Sequence, residues 1–368
     1  MTVGEIVLRA LIVGFIVSFA VITGFAYTTL LERKLLARLQ HRVGPNRAGY
    51  IPLPRRGGGE VRLLGGIMQP AADAVKLFFK EDPTPGQADK FVYNLAPMLA
   101  VIPAVLILAV IPWMPAFELF GVVFEPYFAI APGVNVGVLF IIAVTSIAVY
   151  AVVLGGWASN SKYAILGGIR ASAQMLSYEL ALGLSLLPPI MLAGSMDLGV
   201  IVEEQGWLWY VFLQPVAAVI FYIAMMAELQ RAPFDLLEAE QELSSGYNVE
   251  YGGMRFGMFF MAEYMKMVSL SAIAAVLFFG GYYGPIPGAS VVPVIGLLNM
   301  IIKIIISLML MIWIRASMPR FRYDQLMSFG WKRLLPISLA NVIITGAVIV
   351  LAEEGLFEPL IGAVLSLF

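Results

Sequence analysis

The sequence predicts an all-α polytopic membrane protein, because it is unusually apolar and divides into runs of bilayer length. Of its 368 residues, 60% are hydrophobic and 13% are charged, and the mean hydropathy is +0.88. A soluble domain has about 25% charged residues. Eight stretches are long and apolar enough to cross about 30 Å of hydrocarbon. They are predicted near residues 6–31, 94–115, 135–155, 175–194, 207–227, 259–281, 291–314 and 334–355.

The charges in the loops between these stretches predict which side of the membrane each loop faces. Nearly all Lys and Arg residues lie in the loops at 32–93, 156–174, 228–258 and 315–333. The loops at 116–134, 195–206 and 282–290 contain none. Since basic loops stay on the cytoplasmic side, both termini are expected on the outer, periplasmic side. We expect residues 1–368 to form a single membrane domain whose first span is retained, because no signal-peptide cleavage site follows it.

The composition excludes several classes of function. The chain has no cysteine, which excludes disulfides, thiolate zinc sites and iron–sulfur clusters within it. Its one histidine, His41, cannot supply a bis-histidine haem. Neither a dinucleotide-binding glycine motif nor a Walker A motif is present. The net charge of −1 gives no reason to expect a nucleic-acid partner. We therefore expect no metal, no cofactor and no residue of direct redox chemistry in this chain.

The first cytoplasmic loop, 32–93, contains two distinct segments. Residues 51–64 are rich in Gly, Arg and Pro and are expected to form a loose loop, with a contact to a peripheral subunit or to anionic lipid headgroups as the alternatives. Residues 67–80 predict an amphipathic helix lying at the membrane interface. One face carries Ile67, Ala71, Val75, Phe78 and Phe79, and the other carries Asp73, Lys76 and Lys80. An ordinary helix packed on other cytosolic segments is the alternative.

Four ionisable residues fall within or at the ends of predicted spans, where such groups are costly and usually functional. They are Glu179, Glu228, Glu263 and Lys303. If its helix continues, Glu228 shares a face with Arg231, and Glu263 is spaced to pair with Lys266. Lys303 is assigned no role, since a lysine here could either snorkel or pair with a neighbouring subunit. Glu179 and Glu228 have a simpler alternative, as helix-end carboxylates that reach the interface.

The cytoplasmic loop at 228–258 is rich in acids. It contains Asp235, Glu238, Glu240, Glu242 and Glu250. Clustered carboxylates in a poorly hydrated place raise one another's pKa and titrate as a coupled set. Such a set can relay protons near neutral pH, whereas a solvated acidic face would give the same pattern. The interleaved Pro233, Phe234, Leu236, Leu237 and Leu243 favour the buried cluster.

The motifs in the cytoplasmic loops resemble one known family. They are ERKLLARLQHRVGPN, QPAADAVKLFFKE, GGWASNSKYAILGGIRASAQMLSYE, ELQRAPFDLLEAEQELSSGYNVEYGG, FFMAEY and RASMPRFRYDQLMSFGWKRLLP. The chain resembles, from about residue 25 to about residue 340, the H-type membrane subunit of proton-pumping NADH–quinone oxidoreductase, respiratory complex I. The mitochondrial member of this family is subunit 1 of NADH dehydrogenase. The segment at 51–64 departs from the family pattern, which leaves the local geometry there open.

The resemblance implies a quinone-access tunnel shared with peripheral-arm subunits and a proton-coupling path through buried carboxylates. The implied tunnel residues are Glu32, Arg33, Arg42, Asp73, Arg231 and Asp235. The implied coupling residues are Glu179, Glu228, Glu238, Glu240, Glu242 and Glu263.

The same resemblance implies the partners, the substrate and the location. Quinone is the substrate, FMN and iron–sulfur clusters lie on partner subunits, and neighbouring membrane subunits and lipid surround the chain. A bacterial inner (plasma) membrane is favoured over the mitochondrial inner membrane by the length and the 51–64 segment. Three alternatives stay open: the same subunit in a ferredoxin- or hydrogenase-linked relative, a purely structural anchor between the two arms, and a freestanding transporter.

Overall fold

The computed structural model describes residues 3–46, 51–54, 60–63, 66–119, 122–206, 208–235, 246–284, 286 and 292–354. Most of them are helical. The helices are α1 (Val3–Leu39), α2 (Gln69–Phe79), α3 (Lys90–Leu106), α4 (Gly137–Ala158), α5 (Lys162–Ala193), α6 (Leu198–Glu204), α7 (Tyr210–Leu213), α8 (Pro215–Glu228), α9 (Gly253–Phe278), α10 (Pro293–Ser317), α11 (Tyr323–Phe329) and α12 (Leu335–Glu353). Short 3-10 segments follow α3 at Ile107–Val110 and precede α9 at Gly246–Asn248, and a π-helical turn at Gly330–Leu334 joins α11 to α12.

Seven helical stretches within the described residues are long and apolar enough to cross a membrane. They contain α1, α3, α4, α5, α9, α10 and the joined α11–α12. A helix satisfies all its backbone hydrogen bonds internally, which is why apolar runs of this length adopt it in lipid. These helices agree with the predicted polytopic membrane protein.

The fifth predicted span differs from the uninterrupted helix expected near 207–227. The chain breaks at Gln214, between the four-residue α7 and the 14-residue α8. Pro215 cannot donate a backbone hydrogen bond and disfavours helical geometry in the residue before it. The side-chain oxygen of Gln214 accepts hydrogen bonds from Asn341 at 3.4 Å and Thr345 at 3.3 Å, both on α12. The break is therefore supported by polar contacts from a neighbouring helix.

The all-α prediction was wrong in one respect, because the chain also forms two antiparallel β-hairpins. Strand β1 (Ile51–Pro54) pairs with β2 (Glu60–Leu63), inside the segment expected to be a loose loop. Strand β3 (Met114–Leu119) pairs with β4 (Val122–Phe128). The second predicted span therefore ends before residue 115. Pro112 disfavours helical geometry just before it, and the Val and Phe residues of β4 favour extended backbone.

Helix α2 occupies the region of the predicted 67–80 helix. Its Leu77 side chain packs towards Gly257 of α9, where an added Cβ would lie 3.1 Å from a Leu77 methyl. Val75, Phe78 and Phe79 are exposed. The helix thus has one attached side and one uncovered apolar side.

Helix α9 lies at the centre of the protein. In its most apolar stretch 83% of the residues are buried, against 22% in that of α1. It packs against α1, α3, α8 and α10. Its central place explains how polar side chains on α9 reach charged groups from several other helices at once.

Candidate functional site

A buried carboxylate on α1, Glu32, joins four separate parts of the chain. One of its oxygens accepts a hydrogen bond from the hydroxyl of Tyr264 on α9, at 2.7 Å. The other lies 3.4 Å from the guanidinium of Arg231 and also pairs with Arg315 at the end of α10. A buried charge is tolerated only when it is paired and hydrogen-bonded. Arg315 supplies an ion pair and Tyr264 a hydrogen bond, although neither was among the predicted site residues.

Arg231 is buried and lies between two carboxylates. Besides Glu32, its Nε pairs with Glu263 on α9, and its guanidinium carbon lies 4.6 Å from the centre of the Tyr264 ring. Glu228 and Arg231 would share a helical face only if the helix continued past Glu228, and it does not. Helix α8 ends at Glu228, and Gln230 adopts a left-handed φ of 53°, which turns Arg231 away from the helical path.

Lys266, one turn after Glu263 on α9, pairs with Glu228 at 2.5 Å. The alternative of a simple ion pair between Glu263 and Lys266 along α9 is therefore not observed, because α8 and the turn after it supply a partner for each. Both Lys266 and Glu228 are buried, with 8% and 3% of their surface exposed. The second oxygen of Glu228 is buried and accepts no hydrogen bond from the part of the chain that the structure describes.

Glu179 on α5 is half-buried and accepts a hydrogen bond from Ser146 on α4. It lies close enough to Glu228 for the two carboxylates to repel each other. Like-charge repulsion is strong where water is scarce. Glu179 therefore lies within electrostatic reach of Glu228.

Asp235 is buried and lies 3.5 Å from Arg320. The chain before it is fixed to α5 by Gln174, whose side-chain amide donates to the carbonyls of Ala227 and Phe234, each at 2.8 Å. These contacts place the start of the acidic loop beside the buried cluster. Glu238, Glu240 and Glu242 lie within 236–245, outside the described residues, so their roles stay predictions.

The other predicted tunnel residues lie at the junction of α1 and α2. Arg33 pairs with Asp73 at 2.7 Å, and Gln69 donates to the same carboxylate at 3.1 Å. This pair is partly exposed, unlike the Glu32 cluster. Arg42 does not join it but donates locally to Gln40 at 2.8 Å.

A small cavity of about 10 Å³, roughly the space of one water molecule, lies beside Glu32. It is lined by Glu32, Met226, Arg231, Met267, Met311, Ile312 and Arg315. Among the residues whose placement is described, no group of three His, Asp or Glu side chains converges to hold a metal ion.

Lys303 on α10 neither snorkels nor remains available to a neighbouring protein. It is buried, and its ammonium donates to the carbonyls of Phe279 at 2.5 Å and Gly281 at 2.7 Å, and to that of Tyr283. It also lies 4.9 Å from the ring centre of Trp209. Lys303 therefore stabilises the carboxyl end of α9, where helix carbonyls have no internal partners.

Comparison with known proteins gives one consistent family. The family model described as NADH dehydrogenase matches residues 12–346. The H subunit of NADH-quinone oxidoreductase from Syntrophotalea carbinolica is 47% identical over 327 residues, covering 89% of this chain and 92% of that protein. The second H subunit of Syntrophobacter fumaroxidans is 48% identical over 88% of this chain and 90% of its own. The H subunit from Deinococcus radiodurans is 45% identical over 95% of this chain and 85% of its own.

Proposed function

This chain belongs to the NADH dehydrogenase family, in which its relatives are H subunits of NADH-quinone oxidoreductase. On that premise we propose that it forms a quinone-access tunnel with peripheral-arm subunits and couples quinone reduction to proton translocation. The observation that carries the proposal is the buried cluster around Glu32 and Arg231. It connects α1, the turn after α8, α9 and α10, and such clusters among membrane helices are usually functional.

The tunnel requires an apolar route from the bilayer to a polar end. The exposed Val75, Phe78 and Phe79 of α2 supply apolar surface next to the Arg33–Asp73 pair. We place α2 at the membrane interface and the tunnel mouth between α1 and α2. A quinone ring entering there would meet Arg33 and Asp73 before the buried Glu32 cluster. Arg42 and Asp235 belong to the same proposed lining.

The coupling path starts from that polar end. Reduction of a quinone to a quinol consumes protons and creates transient negative charge. Glu263 pairs with Arg231 of the Glu32 cluster, and Lys266, three residues after Glu263 on α9, pairs with Glu228. Glu228 in turn interacts electrostatically with Glu179 on α5. Paired buried charges respond strongly to a change of charge on a neighbour. These carboxylates can therefore transfer protons when the quinone becomes negatively charged. Glu238, Glu240 and Glu242 are proposed to continue this set.

We further propose eight membrane crossings, with α7 and α8 together forming the fifth, and with both termini on the outer side of a bacterial plasma membrane. The distribution of basic loops supports this topology. FMN and iron–sulfur clusters would lie on partner subunits. The alternative is a ferredoxin- or hydrogenase-linked relative, in which the electrons come from a source other than NADH. The proposed site in this chain would be the same. Genes for an NADH- and flavin-binding subunit next to this one would favour the NADH-linked complex.

The test is to introduce Glu228→Gln and Asp235→Asn into the intact complex. Quinone reductase activity should fall in each, while NADH oxidation by ferricyanide, which needs only the peripheral arm, persists. Glu203→Gln, at an exposed position on α6, is the control. Loss of assembly in both variants would support the structural anchor instead. Unchanged quinone reductase activity in both would exclude the coupling role.

A further inference from the structure

Four charged residues near the end of α8 and on α9 share one spacing. Glu228 precedes Arg231 by three residues, and Glu263 precedes Lys266 by three residues. Each pairs across to the other segment rather than along its own: Glu228 with Lys266, and Arg231 with Glu263. The chain enters this region at the end of α8 and leaves it along α9. Glu228 and Lys266, which pair with each other, therefore both lie deeper in the helix bundle than Arg231 and Glu263 do. The two cross-links therefore lie one above the other.

The cations of this cluster differ in one chemical respect. Glu263 and Glu32 pair with Arg231 and Arg315, and a guanidinium does not lose its proton in proteins. Lysine does lose its proton readily when buried. Glu228 is the one carboxylate within ion-pair distance of Lys266 in the described part of the chain. The Glu228–Lys266 pair is thus the one place in the cluster where the cation itself can give up a proton.

The position of this pair matters as much as its chemistry. The Glu228 oxygen that does not meet Lys266 is buried and has no hydrogen-bond partner among the described residues. Glu228 also interacts electrostatically with Glu179 on α5, which in turn accepts from Ser146. The pair therefore shares α9 with Glu263 on one side and interacts with Glu179 on the other.

We propose that Lys266 is a proton-holding residue that exchanges a proton with Glu228 and thereby controls proton transfer to Glu179. This inference rests on the proposed coupling function. In the forward step the Lys266 ammonium gives a proton to Glu228, which leaves a neutral amine and a carboxylic acid. Glu228 then passes a proton to the Glu179 carboxylate and becomes a carboxylate again. The net charge of the three groups stays at −1 during these two transfers. The path resets when Glu179 releases this proton and Lys266 takes up another one from water.

The decisive variant is Lys266→Arg in the intact complex, because it keeps the positive charge and the donor but cannot release a proton. We expect normal assembly and an unchanged KM for quinone. The kcat should be about tenfold lower. This loss is smaller than the 10²–10⁴-fold that is typical of a positioned proton-transfer group. A lysine that only balances charge would let Lys266→Arg turn over at the wild-type rate, which would overturn the proposal.

A second variant tests the proposal if an arginine side chain cannot be accommodated at position 266. Lys266→Met combined with Glu228→Gln removes both charges, so it leaves no unpaired buried ion. We expect this double variant to assemble and to be as slow as Glu228→Gln alone, with proton pumping per NADH reduced. Recovery of wild-type turnover in the double variant would mean that Lys266 is only structural. If Glu228→Gln and Asp235→Asn are both fully active, the proposed function fails, whereas an active Lys266→Arg with a slow Glu228→Gln refutes only the role of Lys266.

Discussion

The guanidinium of Arg231 pairs with the carboxylate of Glu263 on the next helix, not with the acid three positions before it. The same guanidinium lies 3.4 Å from Glu32. One cation thus compensates two carboxylates from different helices, the buried Glu32 and the half-buried Glu263. Because charges removed from water need partners, this contact stabilises both acids.

Arg231→Gln should therefore be severe. Removing one partner of a buried ion pair typically costs about 3–5 kcal/mol, so we expect less assembled complex and little quinone reductase activity. Immunoblots of membrane complexes and quinone reductase assays measure the two effects. The matched control is Arg322→Gln, since Arg322 pairs with Asp324 at 3.4 Å on the surface, where ion pairs contribute about 0–1 kcal/mol. Equal effects of the two substitutions would contradict the role given to Arg231.

Tyr264→Phe should be milder than Glu32→Gln. The tyrosine hydroxyl donates to Glu32 at 2.7 Å, and a hydrogen bond to a charged group contributes about 1.5–3 kcal/mol. Glu32 would keep both arginines, so we expect reduced heat resistance with much of the quinone reductase activity retained. Thermal inactivation of the purified complex tests this, with the exposed Tyr150→Phe as control. A Tyr264→Phe complex as inactive as Glu32→Gln would show that the hydroxyl itself is required.

Asp73→Asn should affect quinone binding more than stability. The Arg33–Asp73 pair is partly exposed, with side-chain exposures of 46% and 34%, so its loss should cost about 0.2–1 kcal/mol. Because we place this pair at the tunnel mouth, we expect a higher KM for quinone at a normal level of complex. Lys76→Gln, exposed on the same helix, is the control. An unchanged KM for quinone would show that the tunnel mouth does not lie at this pair.

The sequence predicted most of the helices because lipid allows few alternatives to a helix in a long apolar run. It did not predict the break at Gln214. A proline does not identify a break by itself, since several prolines in this chain lie inside helices. They include Pro97 and Pro103 in α3 and Pro188 and Pro189 in α5. What distinguishes Gln214 is its contact with α12, which no local pattern contains.

Some carboxylates of the site were predictable from the sequence, but Tyr264, Arg315 and the pairs that the charged residues form were not. Charged residues stand out in apolar segments, so Glu179, Glu228 and Glu263 could be found from the sequence. Their partners could not, because local spacing favours neighbours on one helix, whereas burial brings different helices together. Arg315 and Glu32 are 283 residues apart in the chain. No rule based on spacing joins them.

Lys303→Met should weaken the protein without affecting the quinone site. The ammonium donates to three carbonyls beyond the end of α9, and buried acceptors left unsatisfied cost about 1–3 kcal/mol each. We expect a shorter half-life of quinone reductase activity on heating and an unchanged KM for quinone. Lys332→Met, at an exposed position, should match the wild type. A wild-type half-life for Lys303→Met would show that these hydrogen bonds do not stabilise the fold.

Two glycines on α5 give a matched pair that tests how the acidic loop is positioned. A Cβ on Gly167 would lie 2.7 Å from the Cα of Gly246, just after the 236–245 segment, and backbone cannot move aside as a flexible side chain can. A Cβ on Gly183 would meet nothing within 4 Å. We therefore expect Gly167→Ala to displace the end of the acidic loop and lower quinone reductase activity. Gly183→Ala should retain activity and gain up to about 1 kcal/mol of helix stability. If Gly167→Ala is as active as Gly183→Ala, close packing of this loop on α5 is not needed for turnover.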